Sequence, residues 1–406
     1  MFYRYEVEEN GERDQYKILV LGEKGIWARY IDKADYDLAM ESGEVAIDIL
    51  NKNGFSYIKS EDRVFTNSKV EFAYSAPTKL FVDITNRCNL RCKHCLSGIK
   101  EYQNLELSSE FLEKIAYQCG KYGVKYVKLG GGEPFMHRSL ENVCEAFSNA
   151  GCSLSMSTNG YFTSSREKNI VRKYNIKISI SIEGIEKTDE EIRGKGHFSR
   201  AMNALKEFRE VTDNVILRVT LNRKNIFELP QLVELADSLN VPLKISLCRP
   251  AGNALQNDLL ISHEDHQLYL DAVNFINRED VINKVLLDKS MMIHHKAEDA
   301  AKYYFDKTCG AGTRTMHIDS FGVARPCIFM GNSIQGEKVN EDGDFMHIWK
   351  EGNQDFDWVR NIAIFEKCKK CNRICKNECL GNLLYGFPNN RLIDNYCLNK
   401  AGVENV

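Results

Sequence analysis

The residues best suited to chemistry crowd into one short run, Cys88-Asn89-Leu90-Arg91-Cys92-Lys93-His94-Cys95. Three thiols fall within eight residues, with three and then two residues between them. A loop with that spacing can turn three sulfurs toward one small inorganic centre and leaves a fourth position unfilled. A structural zinc takes four protein ligands, and an iron–sulfur cube takes one ligand per iron. Two readings follow: zinc with a distant fourth ligand, or a four-iron cube with one iron open to an outside molecule. Three ordinary core cysteines fit poorly, because Asn89, Arg91, Lys93 and His94 interrupt any apolar run.

A second set of thiols lies near the other end. Of fourteen cysteines, seven fall between Cys309 and Cys397. Met316-His317-Ile318-Asp319 and Val323 read as a hairpin turning at Ser320-Phe321-Gly322, and Cys309 and Cys327 flank it. Thiols on such a hairpin can meet those of a later knuckle formed by Cys368, Cys371, Cys375, Cys379 and Cys397. Paired zinc ribbons or iron–sulfur sites both fit that spacing. The remaining Cys119, Cys144, Cys152 and Cys248 sit within helix and strand patterns and read as small buried hydrophobes.

Loops need elements to aim them. From Leu80 the chain repeats strand, loop and helix. The expected strands are 80–85, 125–129, 152–157, 177–182, 215–221 and 242–247. The expected helices are 109–122, 139–150, 164–174, 199–211 and 228–239. Six strands alternating with helices predict a parallel sheet. In such folds function gathers where strands end. The cysteine run follows the first strand, Gly130-Gly131-Gly132-Glu133-Pro134 the second, and Ser157-Thr158-Asn159-Gly160 the third. Glycine lets backbone approach a partner closely, and a carboxylate accepts hydrogen bonds from an ammonium group.

Four segments are expected: a small α+β domain over 1–76, the main α/β unit over 77–255, a helical bridge over 256–305 and a cysteine-bearing domain over 306–406. Strand signals at 3–7, 16–21 and 27–31 and a helix near 35–51 compose the first. His294 and His295 are adjacent, so they point to different helix faces and are poor joint ligands. The net charge of −3 gives no field to attract nucleic acid or a membrane. The charged N-terminus is no signal peptide, and no apolar run approaches a bilayer span, so a soluble cytoplasmic protein is expected. Cysteines in a reducing compartment read as ligands rather than disulfides.

The run Cys88-x3-Cys92-x2-Cys95 resembles the cluster loop of the radical S-adenosylmethionine (SAM) enzymes, and Gly131-Gly132-Glu133-Pro134 resembles their second motif. The resemblance implies a partial (β/α)6 TIM-like barrel in which Cys88, Cys92 and Cys95 hold a [4Fe-4S] cluster. The open iron binds SAM, and its one-electron cleavage gives a 5′-deoxyadenosyl radical. It implies further that Gly131, Gly132 and Glu133 meet the methionyl end of SAM. By likeness of Ser179–Gly184 and Glu191–Gly196 to a second stretch, Ser181 and Arg193 contact it too. Glu183 stands where the family more often has Asp, and His94 where an aromatic residue usually lies near the adenine.

The late cysteines resemble the SPASM extension, which holds two auxiliary [4Fe-4S] clusters. Cys309, Gly322 and Cys327 match its first half; Cys371 and Cys375 have three residues between them where the family has five. The resemblance implies Cys368, Cys371, Cys375 and Cys397 at the outer cluster, with Cys309, Cys327 and Cys379 at an inner one left open. The 1–76 unit is similar to the leader-binding element of peptide-modifying members. The implied activity is cross-linking of a ribosomal precursor peptide through a thioether or carbon–carbon bond, with a flavodoxin- or ferredoxin-type reductant. Formylglycine generation in a sulfatase, peptide epimerisation, or a non-enzymatic iron–sulfur or zinc binding module are the alternatives. No spacing names a catalytic acid or base.

Overall fold

A computed structural model describes residues 2–10, 15–22, 25–31, 63–65, 74, 76–98, 105–261, 265–287 and 310–361, with isolated helical positions between 34 and 52. Cys309, Cys368, Cys371, Cys375, Cys379, Cys397, His294 and His295 lie outside the described residues.

The N-terminal strands β1 (Phe2–Asn10), β2 (Gln15–Gly22), β3 (Gly25–Ile31) and β4 (Arg63–Phe65) form one sheet in the order β3-β2-β1-β4. The first three pair antiparallel, and β4 joins β1 in parallel. Ala34, Asp35, Leu38, Asp48, Ile49 and Lys52 are helical, within or beside the helix expected near 35–51.

The main sheet takes β5 (Lys79–Thr85), β6 (Tyr126–Gly131), β7 (Ser153–Thr158), β8 (Lys177–Ile182), β9 (Val215–Leu221) and β10 (Leu243–Leu247) side by side, all parallel. These are the six expected strands, displaced by at most two residues at their ends. Helices α1 (Ser109–Tyr122), α2 (Leu140–Asn149), α3 (Ser165–Lys173), α4 (Glu186–Arg193), α5 (His197–Arg209) and α6 (Leu229–Ser238) lie between them in sequence. Local chemistry sets their ends. The Ser108 hydroxyl accepts from the Phe111 amide, and Ser164 with Glu167 forms a full capping box.

Four further strands extend this sheet, and two differ from expectation. β11 (Val285–Leu287) pairs in parallel with β10, inside the stretch expected to be helical. Its three apolar residues complete the sheet edge, a long-range contact that overrides local pattern. β12 (Thr315–Ile318) pairs in parallel with β5 and turns back as β13 (Val323–Arg325). The expected hairpin is therefore there, but it also continues the barrel wall. A short β14 (Glu337–Lys338) ends the sheet.

Strand alternation divides the two faces. Leu80, Val82, Val127, Leu129, Ile178, Ile180, Leu217, Val219, Leu243 and Ile245 are fully buried and join one core with Leu112, Ile115, Val143, Phe147, Leu205, Phe208 and Leu232 of the helices. Phe135 stacks on Phe208 with centroids 5.7 Å apart. The intervening residues Phe81, Lys128, Ser155, Arg218 and Lys244 retain intermediate exposure although they stand mid-strand. They line the concave face, as the interior of an open barrel must.

Candidate active site

The cysteine loop leaves β5 at Thr85, and its neighbours hold it by backbone. The Gly132 amide donates to Thr85 O at 2.8 Å, and the Glu133 amide to Arg87 O at 2.8 Å. A Cβ on Gly132 would stand 2.1 Å from Arg87 O, so only glycine allows this approach. The close approach that the glycine run permits is thus to the cysteine loop. On the other side, the Asn253 amide donates to Cys95 O at 2.9 Å, and its side chain to Cys92 O at 3.2 Å. The Asn257 side chain donates to Lys93 O at 3.1 Å. Gly252 has φ +59, and a Cβ there would meet Cys95 O at 2.1 Å. The turn after β10 therefore clamps the loop, which nothing in its composition announces.

Glu133 is buried and turned back into the protein. One carboxylate oxygen accepts from Thr158 Oγ1 at 2.9 Å and the Phe135 amide at 3.3 Å; the other accepts from the Asn159 amide at 2.8 Å. Burial pushes this carboxyl up to about 7, against the pull of those hydrogen bonds. Asn159 Nδ2 then donates to Asn89 Oδ1 at 2.7 Å. Glu133 thereby ties the end of β7 to the cysteine loop.

A second network surrounds Cys92. Arg193, the last residue of α4, donates to Glu183 Oε1 at 2.7 Å and places Nη1 3.8 Å from Cys92 Sγ. Its Nη2 lies 3.5 Å from His94 Nε2, which is 3.1 Å from the same Glu183 oxygen. The other Glu183 oxygen accepts from the Thr220 amide at 2.8 Å. Burial works to raise the Glu183 carboxyl, but His94 and Arg193 outweigh it and hold it down to about 2. Behind it, the Glu183 amide donates to Asp189, whose other oxygen meets His197 Nδ1 at 2.6 Å with both side chains buried.

Cys88, Cys92 and Cys95 are free, half-buried thiols on this loop. Among the described residues no three His, Cys, Asp or Glu side chains gather tightly enough for a single metal ion. His94 Nδ1 and Arg193 Nε are buried beside Cys92 without a hydrogen-bond partner. Two unsatisfied polar atoms at the sulfurs are what a polar cofactor would satisfy, so the donor set fits a cluster with a bound small molecule.

The structure therefore brings His94 and Arg193 together at Cys92 and sets Gly131, Gly132 and Glu133 against the same loop. Ser181 lies on β8 two residues before Glu183, in register with Arg218. Of the late thiols Cys327 is described: it is half-buried, and its sulfur accepts from the Phe329 amide at 3.4 Å. Cys119, Cys144, Cys152 and Cys248 are buried, as expected. Asn253, Asn257, Asp189 and His197 escape sequence reading, since tertiary contact alone gives them their roles.

Residues 82–236 match the model of the Radical SAM superfamily. This segment is a radical SAM domain, and the protein is an enzyme of that kind, using SAM and an iron–sulfur cluster. The chain is 26% identical over 328 residues to mycofactocin maturase MftC of Mycolicibacterium smegmatis, covering 78% of this chain and 82% of the relative. It is 25% identical over 311 residues to the PqqA peptide cyclase of Rhizobium meliloti, covering 73% and 80%. In fold it is similar to Streptococcus suis SuiB bound to precursor peptide SuiA, with TM-score 0.69 at 16% identity over 97% of this chain and 100% of that one. The SAM-bound anSMEcpe structure superposes with TM-score 0.60 at 16% identity over 76% and 97%. The architecture is that of the partial TIM barrel. Among the described residues no helix is long and apolar enough to cross a membrane.

Proposed function

We propose that the protein matures a ribosomally made precursor peptide, taking hydrogen from a residue's carbon so that this carbon bonds to sulfur or carbon. One observation carries the reading: the radical SAM core follows a four-stranded sheet whose β3 pairs, among the described residues, with β2 alone. An open edge strand can take a leader peptide as an added strand. Similarity to a peptide maturase over 78% of the chain supports the same reading.

When bound, SAM and the cluster supply one-electron chemistry able to remove hydrogen from an unactivated carbon. Cys88, Cys92 and Cys95 are the residues to hold three of the irons. Arg193 and His94, fixed by Glu183, present buried polar atoms beside Cys92. Gly132 and Asn253 keep the loop in place from both sides. The concave sheet face encloses the substrate away from water. We assign Cys309, Cys327, Cys368, Cys371, Cys375, Cys379 and Cys397 to two SPASM-type auxiliary clusters, and place the enzyme in the cytoplasm with a flavodoxin- or ferredoxin-type reductant.

The test is anaerobic incubation of the reconstituted enzyme with candidate precursor peptides, followed by tandem mass spectrometry. A cross-link shows as the loss of two hydrogens with no backbone fragmentation between the joined residues. A mass unchanged in H2O but raised by one deuterium in D2O means epimerisation instead, and formylglycine in a sulfatase-derived peptide means the sulfatase role.

A further inference from the structure

Two hydrogen-bond networks hold the cysteine loop, and one buried ring touches the framework of both. In the Glu133 network, Asn159 Oδ1 accepts from the Tyr161 amide at 3.1 Å. The Tyr161 ring stacks on His197 of α5, with centroids 6.3 Å apart and planes inclined by 29°. In the Glu183 network, one Asp189 oxygen accepts from the Glu183 amide at 2.7 Å, and the other lies 2.6 Å from His197 Nδ1. The imidazole therefore stands between the loop that follows β7 and the turn that follows β8. The Arg200 guanidinium, 4.6 Å from the Tyr161 ring centroid, holds that ring in turn.

The Asp189 and His197 side chains are completely buried. A carboxylate so placed is tolerated when hydrogen bonds satisfy it, and both Asp189 oxygens are taken. His197 Nδ1 faces an acceptor-only group and so carries a hydrogen. Its Nε2 is buried with no hydrogen-bond partner among the described residues, and a hydrogen there would lack an acceptor. The ring thus serves as a single donor to Asp189. Other elements hold the same turn: Asn225 Nδ2 donates to Glu183 O at 3.1 Å, and Glu228 accepts from the Ile185 amide at 2.7 Å. Asp189 reaches it from α4, the helix that carries Arg193 four residues on, on the same face. Burial acts to lower Arg193, but Cys92, then Glu183 and Asp189, outweigh it and hold the guanidinium above its ordinary value.

We propose that His197 and Asp189 are positioning residues for SAM, setting Arg193 and His94 beside Cys92 by way of Glu183. Without the imidazole, one Asp189 oxygen is buried and unpaired a single helical turn from Arg193, where it competes with Glu183 for the guanidinium. A guanidinium drawn that way leaves Cys92, and the polar pair offered to SAM is broken. The role concerns the cofactor and not the substrate. It therefore goes beyond the peptide reading and stands whichever substrate the enzyme takes.

The test uses the reconstituted holoenzyme and SAM itself, with two readouts. One is SAM affinity by equilibrium dialysis with radiolabelled SAM. The other is the change that SAM makes in the electron paramagnetic resonance signal of the dithionite-reduced cluster. His197→Phe keeps a ring against Tyr161 and removes the donor, so SAM should bind at least about tenfold more weakly. The spectral change should then be absent at a SAM concentration that saturates wild type. His197→Asn, whose Nδ2 can take the place of Nδ1, should return to within about threefold of wild type. Iron per chain and urea unfolding report whether each variant has folded. A histidine that serves packing alone would lower stability and leave both SAM readouts unmoved. Asp189→Asn has nearly the same shape, should behave as His197→Phe does, and carries the test if that variant fails to load iron. Wild-type SAM affinity in an iron-loaded His197→Phe or Asp189→Asn overturns the inference. So does a His197→Asn that loses SAM as far as His197→Phe does.

Discussion

Arg193 and Glu183 meet at 2.7 Å with both side chains buried, one at the end of a helix and the other just past the end of a strand. Their pairing lets a cation stand 3.8 Å from Cys92 Sγ without an uncompensated charge, and it fixes His94 at the same carboxylate. Removing one member of a buried ion pair leaves the other's charge unpaired, at a cost of about 3–5 kcal/mol. Glu183→Ala is therefore expected to lower the unfolding free energy by about that amount, read by urea titration. It should also weaken SAM binding, whereas the three cysteines stay in place. Wild-type stability together with wild-type SAM affinity would remove Glu183 from the site.

The backbone clamp predicts a different failure. A methyl group at Gly132 or Gly252 would lie 2.1 Å from a carbonyl oxygen of the cysteine loop. Gly132→Ala and Gly252→Ala must displace that loop, so both variants are expected to lose the iron bound through Cys88, Cys92 and Cys95. Iron per chain and visible absorbance after reconstitution check this. Full iron loading in both shows that the loop is not held as described.

A pH dependence follows from the concave face. Burial first, and neighbouring cations second, lower Lys128 below the ordinary 10.5 of a lysine. Between the lowered folded value and 10.5 the unfolded chain binds the extra proton, so this group makes stability rise with pH in that window. Lys128→Met lacks the contribution. Urea unfolding at a series of pH values from 7 to 10 should give a shallower rise for the variant, and parallel curves would contradict the assignment.

Much of this was legible in the sequence because the barrel strands alternate in pattern and the helices between them carry clear ends. Ser109–Tyr122 and Lys177–Ile182 match residue for residue. Helix α4 is different: Glu186–Arg193 has only Ile192 as an apolar side chain, so no periodicity marks it. β11 is three residues long and gains its conformation from β10. Within the site, motif likeness singled out His94 and Arg193 but left Glu183 without a role, because the residue that joins them is known only once strand and helix ends meet. Asn253 follows a glycine in a turn, and only the folded chain brings it to Cys92.

The central claim is that Cys88, Cys92 and Cys95 hold the cluster at which SAM is cleaved. Its most direct test is anaerobic reconstitution with iron and sulfide, then dithionite and SAM, with mass spectrometry of 5′-deoxyadenosine. Wild type should form it, and Cys88→Ala/Cys92→Ala/Cys95→Ala should form none and carry about four fewer irons. Deoxyadenosine from the triple variant, or none from iron-loaded wild type, would contradict the claim.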